Sequence, residues 1–245
     1  MDVFLKTYIS DAIITFSGSL LDPDTLDIFS DVDITIALPE NASTDVYDLI
    51  DALSKRFSSV FGYEIHNHDD SDTLRVCFEN GWRFDITAIY SRERERERER
   101  ARERARPPQT AENAYLDKIE SIVNQFWFLA SMVLVKLGRN DHLIAAHLAL
   151  ELCRLIIVVQ MLERDEEKKT DIHRFGGGED VPVIHSLVSG DKRPGAKADK
   201  TKNEILGILF HAAEHMDNIA AAHIPKYIKR SDILYELNNQ FVFLY

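Results

Sequence analysis
Residues 92–106 read RERERERERARERAR, fifteen positions with no side chain larger than Ala that is not charged. No single core can absorb such a run. On a helix, strict alternation sets opposite charges at i,i+3 but like charges at i,i+4, so local support cancels and no apolar stripe remains for docking. Pro107-Pro108 closes the tract. It therefore divides the chain, as a solvated linker or exposed loop at 92–108 between a domain at 1–91 and another at 109–245. Its glutamates cancel the field that its arginines would need to hold phosphates or RNA. At 245 residues, the chain is long enough for two small domains, each with its own core.

Charge is divided as unevenly. Residues 1–90 hold 17 acids and 5 bases, and residues 91–245 hold 24 of each, so the formal net charge of -12 lies wholly in the first part. That excludes an overall basic nucleic-acid footprint. It suits a cationic small substrate, or acids gathered around a metal. No uninterrupted apolar run reaches the ~18–20 residues of a membrane-spanning helix, and the first eleven residues lack the basic-then-apolar pattern of a secretory signal. Cys77 and Cys153 stand apart in apolar surroundings, which reads as buried structural thiols in a reducing cytoplasm.

The acidic part alternates strand and helix signals. Ile13–Phe16 is a short apolar run ending at the turn Ser17-Gly18-Ser19, and Asp33–Leu38 is rich in β-branched residues. Val46–Phe57 carries Leu49, Ile50, Leu53 and Phe57 on one helical face, with Asn41, Ser43 and Thr44 as candidate caps. Gly62–His66, Thr73–Phe78 and Trp82–Tyr90 read as strands, the last two joined by Asn80-Gly81 as a type I′ hairpin. The expected fold is a small mixed α/β (α+β) sheet followed by an all-α helical bundle. Its helices are expected at Ala111–Leu137 (stopped by Gly138), Asp141–Leu162, Asn203–Ala222 and Ser231–Phe241. Asp141–Leu162 is apolar nearly all round and is expected at the centre of the bundle.

The chemistry is concentrated in Phe16–Ile36. Gly18-Ser19 sits where a strand ends, and Asp31-Val32-Asp33 enters the next strand twelve residues after Ser19. Residues two apart on a strand share a face, so Asp31 and Asp33 project together and repel unless a cation lies between them. Asp85 falls on the polar side of Trp82–Tyr90, with Arg83 and Thr87. If that side lies beside Asp31 and Asp33, three carboxylates converge, a set able to hold two Mg²⁺ for in-line phosphoryl or nucleotidyl transfer. The glycine-serine turn then offers backbone N–H groups and a hydroxyl to the phosphates.

The ordered set of Gly18-Ser19, Ser30-Asp31-Val32-Asp33 and Asp85 resembles the nucleotidyltransferase superfamily that includes DNA polymerase β. It is most similar to bacterial aminoglycoside nucleotidyltransferases and their relatives with a C-terminal helical domain. FENGWRFDI at 78–86 looks like the strand-turn-strand of their third Asp, and the segment from His147 to Arg174 is similar to their helical half. The resemblance implies AMP transfer from ATP to a hydroxyl of a small, aminoglycoside-like cation. Asp31 and Asp33 would ligate both metals, and Asp85 the metal that activates the acceptor. Gly18, Ser19 and Ser30 would lie at the triphosphate.

No Lys or Arg lies between Ser19 and Asp33. Arg174, in the turn HRFGGG, is the candidate to reach the phosphates instead, against its reading as a plain helix-terminal loop. On Asp141–Leu162, His147, Glu151 and Arg154 follow i, i+4, i+7 spacing and share a face. Glu151 is either one half of an internal pair with Arg154 or the base for the acceptor hydroxyl. His66, His68, Asp69, Asp70 and Asp72 fit no standard zinc spacing and read as a solvated loop. Two other functions share these features. One is a non-catalytic nucleotide-sensing protein on the same fold. The other is a helical ribonuclease of toxin–antitoxin type, against which His211, His215 and His223 lack a suitably placed preceding Arg. A cytoplasmic protein is expected, and the sequence does not fix its oligomeric state.

Overall fold
The structure is a computed structural model that describes Leu5, Ile9 and residues 12–22, 24, 26–39, 46–90, 111–169 and 200–241. Arg174, the charged tract and the helix-cap candidates Asn41, Ser43 and Thr44 lie outside them. Two compact units divide the chain, Met1–Gln109 and Thr110–Tyr245.

In the first unit, strands β1 (Ile13–Ser17), β2 (Val32–Ala37), β3 (Val60–Asn67), β4 (Ser71–Phe78) and β5 (Arg83–Ile89) form one sheet in the order β1-β2-β5-β4-β3. The β2/β5 pair is parallel and the other three pairs are antiparallel, so the sheet is mixed. Strict alternation sorts its two faces. Ile34, Ile36, Leu74, Val76, Phe84 and Ile86 bury one face, where helix α1 (Val46–Arg56) adds Leu49 and Leu53. Ile50 and Phe57 pack at the edge of this core, so the helical face expected from spacing is the one buried.

The β4–β5 hairpin departs from a type I′ turn, which requires positive φ at both central residues. Gly81 alone has it, at 85°. Phe78 N donates to Trp82 O at 2.9 Å, leaving a three-residue connection, Glu79–Gly81. The extra residue shifts the register by one and pairs Arg75 with Asp85. The expected solvated loop around His66–Asp72 is the exposed tip of the β3–β4 hairpin from His66 to Asp70, and Asp72 alone departs from it. Asp72 is buried there and accepts from the Tyr90 hydroxyl at 3.0 Å.

In the second unit, α2 (Ala111–Gly138) packs against α3 (His142–Lys168), α4 (Lys200–His223) and α5 (Ser231–Phe241). The centre of the bundle is therefore α2. α3 buries one side through Ala145, Leu152, Leu155, Ile156 and Val159, while Leu143 is 84% and Leu150 55% exposed. α2 runs through Gly138, and the left-handed residue beyond it is Asn140 (φ 56°). Asp141 caps α3 by accepting from Ile144 N. Counting uninterrupted apolar runs underrated two helices. Ala114–Gly138 and His142–Lys168 are long and apolar enough to cross a bilayer by length and composition, and both pack into the bundle. Cys77 and Cys153 are buried thiols outside any disulfide, and burial pushes the Cys153 thiol up to about 11.

A polar network fixes the α4–α5 corner. Asp217, 1% exposed, accepts from the Tyr227 hydroxyl at 2.8 Å and from the backbone N–H of Arg230 and Ser231 at 2.9 and 3.0 Å. The Tyr227 hydroxyl in turn accepts from Trp127 Nε1 at 2.8 Å. Tyr227→Phe removes one donor and one acceptor from this half-buried chain. It is expected to cost about 1–2 kcal/mol, read as a lower urea midpoint with unchanged slope.

Candidate active site
Register sets the site. Ser17 of β1 pairs with Asp33 of β2, Asp33 with Asp85 of β5, Asp85 with Arg75 of β4, and Arg75 with Glu64 of β3. Five polar side chains thus form one row across the sheet, on the face opposite the core. A second row follows along the strands, with Thr15, Thr35, Thr87, Thr73 and His66. The hydroxyls of Thr73 and Thr87 meet at 3.3 Å.

Asp33 and Asp85 are level on adjacent parallel strands, and Asp31 lies one strand period before Asp33. Burial is the main cause that raises the Asp33 carboxyl above its ordinary value, followed by the charges of Asp31 and Asp85, while Arg75 opposes them. Burial also leads in raising Asp85. Arg75 lowers it, and Asp31 and Glu64 add to the rise. Asp31 thus acts on both Asp33 and Asp85 through its charge, and Asp85 acts on Asp33. Among the described residues, no group of three His, Cys, Asp or Glu side chains is already gathered as a metal cluster. Asp85 is turned toward Arg75, whose Nε donates to its Oδ2 at 3.0 Å, while Nη1 donates to Glu64 Oε1 at 2.9 Å.

Gly18 opens a single 3-10 turn, Gly18–Leu21, with φ at 69°. A Cβ built on Gly18 would stand 1.9 Å from Asp33 Oδ2. The turn therefore lies against the carboxylate, and glycine is required for both the conformation and the approach. Ser19 is half-buried in this turn, and its carbonyl accepts from Asp22 N at 3.2 Å. The Ser30 hydroxyl donates to Asp27 Oδ1 at 2.8 Å and accepts from Asp27 N at 3.0 Å. Its visible work is to brace the turn that delivers Asp31. Arg83 is buried, and its guanidinium donates to the carbonyl of Phe29, tying that same turn to β5.

In the helical unit, Arg154 Nε donates to Glu151 Oε2 at 2.5 Å, an i,i+3 pair on the exposed side of α3 rather than the internal pair expected. His147 is exposed on the same helix.

Arg75 and Glu64 were not found by motif reading. The available signal was alternation in TLRVCF and RFDIT. Matching polar side to polar side across that hairpin brings Arg75 opposite Asp85.

No protein-family model matches the chain, and no curated protein matches it. Among solved structures, the chain is similar to the crystal structure of an aminoglycoside 6-adenyltransferase from Bacillus subtilis. The identity is 15%, over 98% of this chain and 96% of that one, with a TM-score of 0.35. A likeness this loose carries no argument about activity.

Proposed function
We propose that the acidic end of the polar row is a divalent-metal and nucleotide site. On this reading the protein is a metal-dependent nucleotidyltransferase of the polymerase-β-like superfamily, moving AMP from ATP to a hydroxyl of a small, aminoglycoside-like cation. The observation that supports it most directly is Asp33 level with Asp85 on neighbouring parallel strands, with the bare Gly18 turn against Asp33.

The donor set fits Mg²⁺. Its oxygens are hard carboxylates, two of the three acids are raised by burial and mutual charge, and a side chain at position 18 would block the approach. Two such ions would neutralise the triphosphate and favour ionisation of the acceptor hydroxyl. Asp31 and Asp33 hold the nucleotide side of the site and Asp85 the acceptor side. The N–H groups and hydroxyl of Gly18 and Ser19 would orient the triphosphate, and Arg174 is the sequence's candidate for added positive charge at its phosphates. The sequence offers Glu151 as the base that would take the acceptor's proton, or as a contact for its ammonium group. The acceptor oxygen bonds to the α-phosphorus as the bond to the β-phosphate oxygen breaks, and pyrophosphate leaves.

The test is transfer of α-labelled AMP from ATP to a panel of aminoglycosides, with pyrophosphate counted in parallel. Labelled acceptor with equimolar pyrophosphate is expected. A melting temperature unmoved by Mg²⁺ and ATP overturns the nucleotide site itself. The engagement of Asp85 by Arg75 favours one second reading, a nucleotide sensor without transfer. ATP binding with no pyrophosphate from any acceptor would select it.

In this site Arg75 supplies positive charge to Asp85 and Glu64. Arg75→Gln is expected to lower the melting temperature of the EDTA-treated protein, because four acids then repel with less compensation. Added Mg²⁺ is expected to raise it by more than in the wild type. Thermal scans with EDTA and with Mg²⁺ check both signs.

A further inference from the structure
The nucleotide reading leaves unused a histidine pair on α4. His211 and His215 are one helical turn apart, and their Nε2 atoms are 3.0 Å from each other. Their ring centroids are 4.7 Å apart and their planes are inclined by 75°. Two arrangements bring imidazole nitrogens this close. The rings share an N–H···N contact, and because a straight bond would set their centroids more than about 5 Å apart, this one is bent and weakened. A shared metal ion instead makes both nitrogens converge on one point. With metal–nitrogen bonds of about 2.05 Å, nitrogens 3.0 Å apart subtend an angle of about 94°. Extending each ring back along its bond then gives centroids about 4.7 Å apart, the separation found here.

We propose that His211 and His215 form a chelating site for a late first-row transition-metal ion, in two adjacent coordination positions. Imidazole nitrogen selects Cu²⁺, Ni²⁺ and Zn²⁺ over Mg²⁺ and Ca²⁺, and an angle near a right angle suits the tetragonal preference of Cu²⁺ and Ni²⁺ better than tetrahedral Zn²⁺. Both rings are half-buried, which holds them in place. Burial and the neighbouring His211 lower the His215 value, which favours the neutral imidazole that binds metals, and the charge of Glu214 opposes them. Among the described residues no third His, Cys, Asp or Glu completes a cluster, so the remaining positions go to water or a small ligand. The site is therefore an exchangeable one. Its ligands and its preferred ions are distinct from those of the carboxylate site.

The test titrates the full-length, EDTA-stripped protein with CuCl₂, NiCl₂ and ZnCl₂ separately. Affinity is expected to fall in the order Cu²⁺, Ni²⁺, Zn²⁺. The Cu²⁺ resonance spectrum should show two equivalent nitrogens. His211→Ala and His215→Ala should each weaken Cu²⁺ at least tenfold. Binding unchanged in both variants, or no binding by the wild type, overturns the proposal. Should either variant fail to fold, Cu²⁺-induced broadening in the wild type decides. Loss of the imidazole signals of His211 and His215 supports the site, and loss at other histidines only overturns it. Asp33→Asn is expected to bind Cu²⁺ at this site as the wild type does, so failure of the nucleotide reading leaves this result unaffected.

Discussion

Replacing Asp33 by Asn is expected to cut the proposed adenylyl transfer by about 10³-fold while raising the melting temperature of the metal-free protein. The two effects have one origin. Asp33 is half-buried beside Asp31 and Asp85, and its carboxyl is raised by that burial and by those charges. Its folded-state value lies above the unfolded value of 3.8, so the folded chain holds the proton more tightly. Stability therefore falls as pH rises between the two values, and the cost of the charge is fully present above the folded one. Asn carries no such cost. In EDTA the variant should melt higher than the wild type at pH 7, and the gain should vanish below the unfolded value. Calorimetry at the two pH values, with transfer rates measured in Mg²⁺, checks both halves. A variant that melts lower at pH 7 would identify Asp33 as a structurally paired acid rather than a ligand held in readiness.

Gly18→Ala is expected to combine a stability loss of about 2 kcal/mol with a loss of activity of about 10²-fold. Alanine meets two obstacles here. A backbone φ of 69° is strained for any residue with a Cβ, and that Cβ would lie 1.9 Å from Asp33 Oδ2. Either the turn or the carboxylate must move, and each movement misplaces a group the reaction uses. Ser19→Ala, which loses a hydroxyl and leaves the backbone alone, should cost about tenfold. Urea unfolding and initial rates at varied ATP separate the contributions. Equal losses in the two variants would mean that the close approach at Gly18 has no special part.

Much of this was legible because alternation is a strong local signal. DITIAL and TLRVCF announce strands with one apolar side, and Asp31, Asp33 and Asp85 fall on the polar side by parity alone. Parity says which residues share a face and leaves open which strands are neighbours. The parallel pairing that sets Asp33 level with Asp85 joins segments some fifty residues apart, and no local pattern encodes it. The Arg75–Asp85 pair was hidden by a single residue in the hairpin, since a two-residue Asn80-Gly81 turn would have paired Val76 with Asp85. In the helical half the difficulty was different. α2 and α3 are both long and apolar, and composition does not tell which is surrounded. The answer depends on the faces that α4 and α5 present, and Leu143 and Leu150 read as core residues until those partners are placed.

The bond from Arg83 to the carbonyl of Phe29 has a consequence for how such a protein can diversify. It works as a tie rod. The turn that delivers Asp31 and the strand that carries Asp85 are anchored to each other, so the spacing of the acids is insulated from changes elsewhere in the segment between Leu21 and Asp27. Insertions or swaps there can reshape what docks beside the acids without detuning them, whereas loss of the rod would let the two halves of the site drift independently.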